Sequence, residues 1–400
     1  MANRFVLNET SYHGPGAIRE IAGEVKGRGF KKCFVCSDPD LIKFNVTKKV
    51  TDVMESAGIE YEIYSKIKAN PTVENVQTGV AAFKASGADC IIAIGGGSSM
   101  DTAKAIGIII ENPEFSDVIS LEGVAPTTKK AVPIIAVPTT AGTAAEVTIN
   151  YVITDTEKNR KMVCVDVHDI PVVAVVDPEM MASMPKGLTA ATGMDALTHA
   201  IEAYIGRSTT RQTRSAAVEA IQLIFDNLQS AYNNGNDKTA RRHMLRASYL
   251  AGTAFTKSYV GYVHAVAHSL GGCYGIPHGL ANSVLLPVTL EAYGTAAHKK
   301  LARLARLTGI SDSDLDAVAA GEFIRHIRSM NLSMNIPETL DGISNEDIPK
   351  LARYADKEAN PLYPVPVLWG PSKLEQMYHL VQEVNENDRN RNSEHPGKAA

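Results

Sequence analysis

The chain has 400 residues, of which 44% are hydrophobic and 21% are charged, and its formal net charge is −4. This length exceeds one ordinary hydrophobic core, so it predicts two domains, and the composition is that of a soluble globular protein. The weak negative charge and the lack of a basic stripe argue against a nucleic-acid binder, and no apolar run reaches the roughly 18 residues that a membrane helix needs.

The cysteines and the first residues favour the cytoplasm. Five scattered cysteines, an odd number, argue against a disulfide framework. Cys33 and Cys36 form a C-x-x-C pattern inside an apolar run, where strand alternation points them to opposite faces and favours core packing. The N-terminus lacks the charged and apolar regions of a signal peptide. We therefore expect a cytoplasmic protein.

The first half of the sequence alternates strands and helices. Strands are predicted at residues 32–37, 60–64, 90–94, 132–137 and 172–176, and helices at 41–57, 73–85 and 99–111. Residues 149–154 and 161–165 are predicted to form a hairpin. Continuous apolar strands that alternate with helices indicate an α/β arrangement, in which helices cover both faces of a parallel sheet.

After Pro185 the pattern becomes helical. Helices are predicted at residues 189–205, 211–232, 240–255, 263–270, 279–293, 297–307, 315–330 and 373–384, and no convincing strand follows the boundary. We therefore divide the chain into an N-terminal α/β domain, 1–184, and an all-helical domain, 185–400. The polar tail from about residue 385 is predicted to be disordered.

A glycine turn in the first half is a candidate phosphate site. Residues 91–101, Ile-Ile-Ala-Ile-Gly-Gly-Gly-Ser-Ser-Met-Asp, join a buried strand to a helix. Glycines let the backbone approach a ligand, the helix N-terminus offers amides to an anion, and Ser98 and Ser99 could cap the helix. Alone, this pattern fits a tight turn as well as a phosphate cradle. Residues 138–146 favour the cradle, because they also follow a buried strand and gather three threonines beside a glycine.

Asp38 bears on the choice of nucleotide. It directly follows the first predicted strand, where a carboxylate can accept bonds from a ribose diol and would repel the extra phosphate of NADP. The same residue could instead cap a helix within Ser-Asp-Pro-Asp. The position favours NAD if a dinucleotide binds, and it leaves both roles open.

A group of side chains in the second half indicates a metal site. Asp195 and His199 are four residues apart in a helical stretch, which places both on one helix face. His264 and His268 repeat this spacing, and His278 follows in Ile-Pro-His-Gly. A divalent first-row ion favours imidazole and carboxylate ligands. Any single histidine could be incidental, but three of the eleven histidines fall within fifteen residues, which favours a shared ion.

Taken together, these motifs resemble the iron-containing, or group III, alcohol dehydrogenases along nearly the whole chain. The stretches that carry the resemblance are Gly95-Gly-Gly-Ser-Ser-Met-Asp-Thr-Ala-Lys104, Pro138-Thr-Thr-Ala-Gly-Thr-Ala-Ala-Glu-Val-Thr148, Ala191-Thr-Gly-Met-Asp-Ala-Leu-Thr-His-Ala-Ile-Glu202 and His264-Ala-Val-Ala-His-Ser-Leu-Gly-Gly272 with Pro277-His-Gly279. The resemblance implies an N-terminal Rossmann-like parallel-sheet domain and a C-terminal all-helical metal-binding domain, as in the dehydroquinate synthase-like superfamily. It places the active site in the cleft between them.

The resemblance also implies roles for single residues. It implies that Fe(II) is bound by Asp195, His199, His264 and His278, with His268 as a proton-relay residue and not a ligand. It implies that NAD contacts ten residues, namely Asp38, Asn70, Gly96, Gly97, Ser98, Thr139, Thr140, Thr143, Val152 and Lys161. It further implies a homodimer, for which residues 4–7 could supply a strand. Ligand identity does not choose among Fe(II), Zn(II), Mn(II) and Co(II).

The implied reaction is the NAD(H)-linked interconversion of a short-chain aldehyde and its primary alcohol, with the metal as Lewis acid on the substrate oxygen. The chain departs from the family pattern at residues 356–359, at 361–369 and just before His264. These departures fall around the substrate and leave open whether it is lactaldehyde or another C2–C3 aldehyde. The candidate substrate contacts are Asn150, Phe255, Lys257, Ser258 and Tyr259, of which the last three could accommodate an anionic tail such as the sulfonate of sulfoacetaldehyde.

Three other functions share parts of this pattern. A dehydroquinate synthase-like lyase needs several basic residues beside the metal, and the region from Asp195 to His278 shows no such cluster. Glycerol dehydrogenases usually carry Lys-Thr where this chain has Ser98-Ser99. A structural metal site in a binding protein is the third alternative. Steady oxidation of NADH by a short aldehyde would separate the oxidoreductase from the lyase and the binding protein.

Overall fold

The computed structural model describes residues 3–383. The part of the chain before Pro185 contains the strands β1 Thr10–His13, β2 Lys32–Ser37, β3 Glu60–Tyr64, β4 Cys90–Gly95, β5 Ile134–Pro138, β6 Asn150–Asp155, β7 Arg160–Val165 and β8 Val173–Val176. Its helices are α1 Glu20–Gly27, α2 Pro39–Lys43, α3 Val46–Ser56, α4 Val73–Ser86 and α5 Gly97–Glu111.

Six of these strands form a parallel sheet in the order β1-β8-β5-β4-β2-β3, and β6 pairs with β7 as an antiparallel hairpin. In β2, Cys33 packs into the core on one face of the sheet and Cys36 into the core on the other, which confirms the expected alternation. The chain leaves β2 for β3 and returns to β4 on the other side of β2. The carboxyl ends of β2 and β4 therefore open a crevice at a topological switch point, where α/β sheets bind ligands.

The part after Pro185 is helical, and no strand lies there among the described residues. Its helices are α6 Lys186–Ile205, α7 Arg211–Asn233, α8 Lys238–Ser258, α9 Tyr262–Tyr274, α10 His278–Tyr293, α11 Thr295–Leu307, α12 Asp316–Ser333, α13 Ile348–Ala359 and α14 Pro371–Val381. One continuous apolar core lies between them. In residues 3–383 we find no helix with the length and apolarity needed to cross a bilayer.

Some predictions about the elements were wrong. Residues 41–57 are two helices and not one, because Asn45 adopts a left-handed conformation with φ 59° between α2 and α3. The strand β1 and the helix α1 were not predicted. Residues 4–7 belong to no strand within the described chain, so the homodimer stays a prediction. The domain boundary between residues 184 and 185 also stays a prediction, and the tail from residue 385 lies outside the described residues.

Candidate metal centre and nucleotide cleft

A cleft with a volume of about 1360 Å³ lies between the carboxyl ends of the parallel strands and the helices α6, α9 and α10. All ten residues predicted to contact NAD line this cleft, and so do the four predicted metal ligands and His268. The structure therefore brings residues from both halves of the chain, separated by up to 240 positions, onto one surface.

The glycine turn after β4 forms one wall of the cleft. The helix α5 begins at Gly97, so the free amides of its first turn face this wall. A Cβ atom on Gly96 would lie 3.0 Å from Thr140 Oγ1, which shows how closely the turn approaches the threonine loop after β5. Ser98 and Ser99 lie inside α5 and do not cap it, because the N-cap residue is Gly96. This wall offers backbone amides and hydroxyl groups to an anion.

Asp38 and Asn70 line the cleft beside the helices α2 and α4. Asp38 is the N-cap residue of α2, and its Oδ1 accepts a hydrogen bond of 3.0 Å from the amide of Leu41. The helix-cap role considered from the sequence is therefore present, and the side chain also lines the cleft. Asn70 precedes α4 in a left-handed conformation with φ 56°. The ribose contact of Asp38 stays a prediction.

The β6–β7 hairpin forms the opposite wall. Asp101 on α5 accepts a hydrogen bond of 3.1 Å from the amide of Val152, which ties the hairpin to the glycine turn. Burial raises the pKa of Asp101 to about 7. Burial lowers the pKa of Lys161 to about 8, against the attraction of Asp101 and Asp195. The hairpin therefore presents a buried amine close to the helical half of the cleft.

The predicted metal ligands lie together at the base of the cleft. Asp195 and His199 are one turn apart on α6, His264 lies on α9, and His278 is the first residue of α10. One potential ligand atom from each of Asp195, His199 and His264 lies within 4.8 Å of the others. His278 Nε2 lies 3.4 Å from Asp195 Oδ1. Three of the four predicted ligands thus lie within reach of one ion, and the ring of His278 lies beside their carboxylate.

The close approach of α10 to α6 depends on one glycine. A Cβ atom on Gly279 would lie 2.5 Å from the carbonyl oxygen of Ala191, a distance that real Cβ atoms do not reach. Glycine at this position lets the first turn of α10 pack against the backbone of α6. His278, the neighbouring residue, is thereby carried to the carboxylate of Asp195.

The donor set fits a divalent cation. The ring nitrogens His199 Nδ1, His264 Nε2 and His278 Nδ1 are buried and have no hydrogen-bond partner among residues 3–383. Burial lowers the pKa of His199 to about 3 and lowers the pKa values of His264 and His278 well below their usual range. The imidazoles are therefore neutral, with lone pairs available to a metal ion.

Two residues that the sequence reasoning missed hold this group in place. Glu202 on α6 accepts hydrogen bonds from the amides of Gly261 and Val263, both 2.9 Å, and one of 2.6 Å from His264 Nδ1. Asn282 donates to Asp195 Oδ1 at 2.7 Å. Such outer partners fix the orientation of metal-ligating groups. Glu202 had a sequence signal, since it follows His199 by three residues on the same face of α6.

His268 is also supported by a carboxylate that was missed. His268 Nδ1 lies 2.8 Å from Glu358 Oε1, and the hydroxyl of Tyr363 donates to the same oxygen at 2.8 Å. Residues 356–359, noted above as a departure from the family pattern, form the last turn of α13. The contact joins residues 90 positions apart, so no local spacing could have revealed it.

The candidate substrate contacts separate into two groups. Asn150, Phe255 and Tyr259 line the cleft, and the ring of Phe255 stacks on His199 with centroids 4.2 Å apart. Lys257 and Ser258 are not among the residues that line the described cleft. The hydroxyl of Ser258 is buried and donates to Thr213 Oγ1 at 2.9 Å. The structure therefore does not bring these two residues to the site.

The family models match both halves of the chain. The model described as iron-containing alcohol dehydrogenase matches residues 8–178, and the model of the C-terminal part of the Fe-containing alcohol dehydrogenase family matches residues 189–378. The chain is also 48% identical over 358 residues to lactaldehyde reductase from Escherichia coli (strain K12), which covers 89% of this chain and 93% of that protein.

Solved structures agree with these matches. The crystal structure of a 1,3-propanediol oxidoreductase is similar with a TM-score of 0.90 and 37% identity, covering 95% of this chain and 99% of that one. Sulfoacetaldehyde reductase from Bifidobacterium kashiwanohense, in complex with NAD+, is similar with a TM-score of 0.83 and 28% identity, covering 95% and 99%. The chain therefore belongs to the iron-containing alcohol dehydrogenase family and is an enzyme of aldehyde and alcohol interconversion.

Proposed function

We propose that the protein uses NAD(H) and a divalent metal ion to interconvert a short-chain aldehyde and its primary alcohol. One observation carries this proposal: a single cleft contains a glycine and threonine wall suited to a pyrophosphate and, at its base, a carboxylate with three neutral imidazoles. The first feature binds a dinucleotide and the second binds a metal ion, and an NAD-linked dehydrogenase of this family needs both in one place.

The bound groups would supply the reactive chemistry, since a divalent ion polarises the substrate oxygen and NADH provides the hydride. The residues Asp195, His199, His264 and His278 would hold the ion, with Glu202 orienting His264. The helix terminus at Gly97 would hold the pyrophosphate. Lys161, buried beside Asp101, would contact the nicotinamide end of the cofactor. Phe255, stacked on His199, would keep the reacting centre dry.

His268 would move the proton. Its Nδ1 is bonded to Glu358, so Nε2 is the nitrogen left to exchange a proton with the substrate oxygen or with a water molecule. The Tyr363 hydroxyl, which donates to the same Glu358 oxygen, fixes the carboxylate in turn. We therefore assign His268 as the proton-transfer residue and Glu358 as the residue that positions it.

Asp38 supports NAD over NADP. Only its Oδ1 is used by the helix cap, so Oδ2 remains available to a ribose hydroxyl within the described cleft. A second phosphate on that ribose would be repelled by the carboxylate. We propose Fe(II) as the metal from the family, while the donor set itself also accepts Zn(II), Mn(II) or Co(II).

We propose an uncharged C2–C3 aldehyde, such as lactaldehyde, as the substrate. An anionic tail was expected to need Lys257 and Ser258, and neither lines the described cleft. Lys161 does line it, but its positive charge faces the carboxylates of Asp101, Asp195 and Glu358. The cleft therefore does not present to a sulfonate the lysine and the serine that were expected to bind it, although a sulfoacetaldehyde reductase is among the similar structures.

The test is a substrate panel on protein loaded with Fe(II) under anaerobic conditions. The value of kcat/KM would be measured at 340 nm for lactaldehyde, propionaldehyde and sulfoacetaldehyde, with NADH and with NADPH. We expect the two uncharged aldehydes and NADH to be preferred. A preference for sulfoacetaldehyde would overturn the substrate assignment, and no oxidation of NADH by any short aldehyde would overturn the proposed function itself.

A further inference from the structure

A second concave surface lies on the helical half and shares no residue with the cleft. This groove, with a volume of about 570 Å³, is formed by the end of α6, the first turns of α7 and the end of α11. We call it the arginine groove, since its lining includes Arg211, Arg214 and Arg303 beside Tyr204 and several apolar side chains. Nothing in the proposed reaction uses it.

The arginine groove concentrates positive charge, and within residues 3–383 none of its three arginines lies within 4.0 Å of a carboxylate oxygen. Among the described residues, Glu219 is the carboxylate in its lining, and Glu219 bonds to Arg246 outside the groove at 2.5 Å. Arg211 and Arg214 occupy the first turn of α7, whose positive dipole end disfavours cations. The placement of two arginines there is unfavourable unless an anion compensates them.

The positive charge of the arginine groove affects the neighbouring residue Lys300. Lys300 donates to the carbonyl oxygens of Ile205 and Gly206 at 2.7 and 2.6 Å, beside the groove. Burial lowers the pKa of Lys300, and repulsion from Arg214 lowers it further. The like charges therefore repel one another across the end of α6 and the start of α7.

Tyr204 provides an independent sign of a ligand. Its side chain is only 2% exposed, yet its hydroxyl has no hydrogen-bond partner in residues 3–383. Buried tyrosine hydroxyls normally find a partner. Burial raises the pKa of this hydroxyl, and Arg303 and Arg214 act in the opposite direction, so both guanidinium groups lie near it. The Tyr204 side chain lines the arginine groove, so its hydroxyl can donate a hydrogen bond to a ligand there.

We propose that the arginine groove binds a phosphate group, carried by a small phosphorylated compound or present as free phosphate. Planar guanidinium groups bind phosphate oxygens in pairs. The Tyr204 hydroxyl would donate a further bond. Val218, Leu223 and Leu307 would contact the organic part of a phosphate monoester, and the volume is within the range of small-molecule sites.

Isothermal titration calorimetry tests this on the holoenzyme in a chloride buffer. NADH is kept saturating, so that the phosphate wall of the cleft is filled. Inorganic phosphate and glycerol 3-phosphate are the probes. We expect at least one of these two compounds to bind, with one molecule bound per protein chain. Tighter binding of glycerol 3-phosphate would identify a phosphate monoester as the ligand, and equal binding would identify free phosphate. Absence of binding by both probes would overturn the proposal.

Single variants assign the binding to the arginine groove. Arg214→Ala is expected to weaken binding about tenfold or more, because a charge-assisted pair is lost, and Tyr204→Phe by a few fold. Arg325→Ala, on the exposed surface of α12, is the matched control. Circular dichroism melting and aldehyde reduction verify that each variant is folded. Unchanged affinity in Arg214→Ala, or equal weakening in Arg325→Ala, would show that the phosphate binds elsewhere.

Discussion

The two halves of the cleft bind their ligands in different ways. The sheet half offers mainly backbone groups, since the glycine turn and the start of α5 follow one another within a few residues after β4. The helical half offers side chains, which come from α6, α9 and α10 and span 84 positions from Asp195 to His278. Binding by backbone groups depends on whether the ligand has room to approach the chain. Binding by side chains depends on the orientation of each donor atom. Substitutions should therefore damage the two halves separately.

The largest effect is expected from Asp195→Ala. The substitution removes the carboxylate that lies within reach of all three imidazoles. We expect bound iron to fall to a small fraction of one equivalent and kcat/KM to fall by at least about 10³, since polarisation of the substrate oxygen contributes several kcal/mol. Metal analysis and steady-state kinetics measure these quantities. The Kd for NADH should change little, because the sheet half is intact.

Asp226→Ala is the control for this variant, because Asp226 is an exposed carboxylate on α7. It should keep both iron and activity. A full equivalent of iron in Asp195→Ala would remove Asp195 from the ligand set. A large rise in the Kd for NADH would show that the two halves are not independent.

Glu202→Gln should have the next largest effect, although Glu202 is not a proposed ligand. Its carboxylate accepts three hydrogen bonds that fix the start of α9 and the ring of His264. The side chain of glutamine has only one oxygen acceptor, and its NH2 group would face at least one of these three donors. The ring of His264 would therefore lose its orientation. We expect metal affinity to fall about 10–100-fold. Glu219→Gln, on the surface, should leave it unchanged, and metal affinity equal to wild type in Glu202→Gln would mean that α9 positions His264 alone.

Gly96→Val probes the sheet half by space and not by charge. Gly96 has an ordinary φ of −87°, so valine acts through its side chain, which would meet Thr140 and fill the phosphate wall. We expect the Kd for NADH to rise about tenfold or more, corresponding to about 1.4 kcal/mol, with iron content unchanged. Fluorescence titration measures the Kd. Gly23→Val on α1, where a Cβ atom meets nothing within 4 Å, is the control.

The difference between backbone groups in the sheet half and side chains in the helical half also explains how much of the site the sequence could predict. The glycine turn and the pair Asp195 and His199 were predicted because strand, turn and helix spacing are local properties. The family resemblance supplied the fold and gathered residues from both halves. Glu358 could not be found by spacing, because its contact with His268 requires the packing of α13 against α9.

Side-chain direction near the end of a helix was the weakest part of the prediction. Lys257 and Ser258 shortly precede His264 in the sequence and were expected at the substrate, but the packing of α8 against α7 turns Ser258 toward Thr213. Tyr259, the next residue, leaves the helix with φ 63° and lines the cleft. The backbone changes direction at Tyr259, so Ser258 and Tyr259 point to different places. Hydrophobic periodicity does not predict such a change.

A smaller effect is expected from a buried carboxylate in the sheet half. Asp195 lies among neutral imidazoles that could bind a cation together with it. The positive charge near Asp169 is that of Lys104, whose Nζ lies 4.0 Å from Oδ1 of Asp169. Both oxygens of Asp169 lack a hydrogen-bond partner in the described chain. Burial raises the pKa of Asp169 from 3.8 to about 8, against the attraction of Lys104. The folded state therefore binds a proton that the unfolded state releases.

This difference has a definite sign. The stabilisation is complete below the unfolded pKa and is lost as the pH rises through the folded pKa, so wild type should lose about 2 kcal/mol of unfolding free energy between about pH 6 and pH 8 from this residue. Asp169→Asn cannot titrate and should not show this loss, whereas Asp226→Asn should behave as wild type. Urea unfolding of the three proteins across this range measures the difference. Parallel curves for Asp169→Asn and wild type would mean that Asp169 is ionised throughout and that Lys104 compensates it, as a metal ion would compensate Asp195.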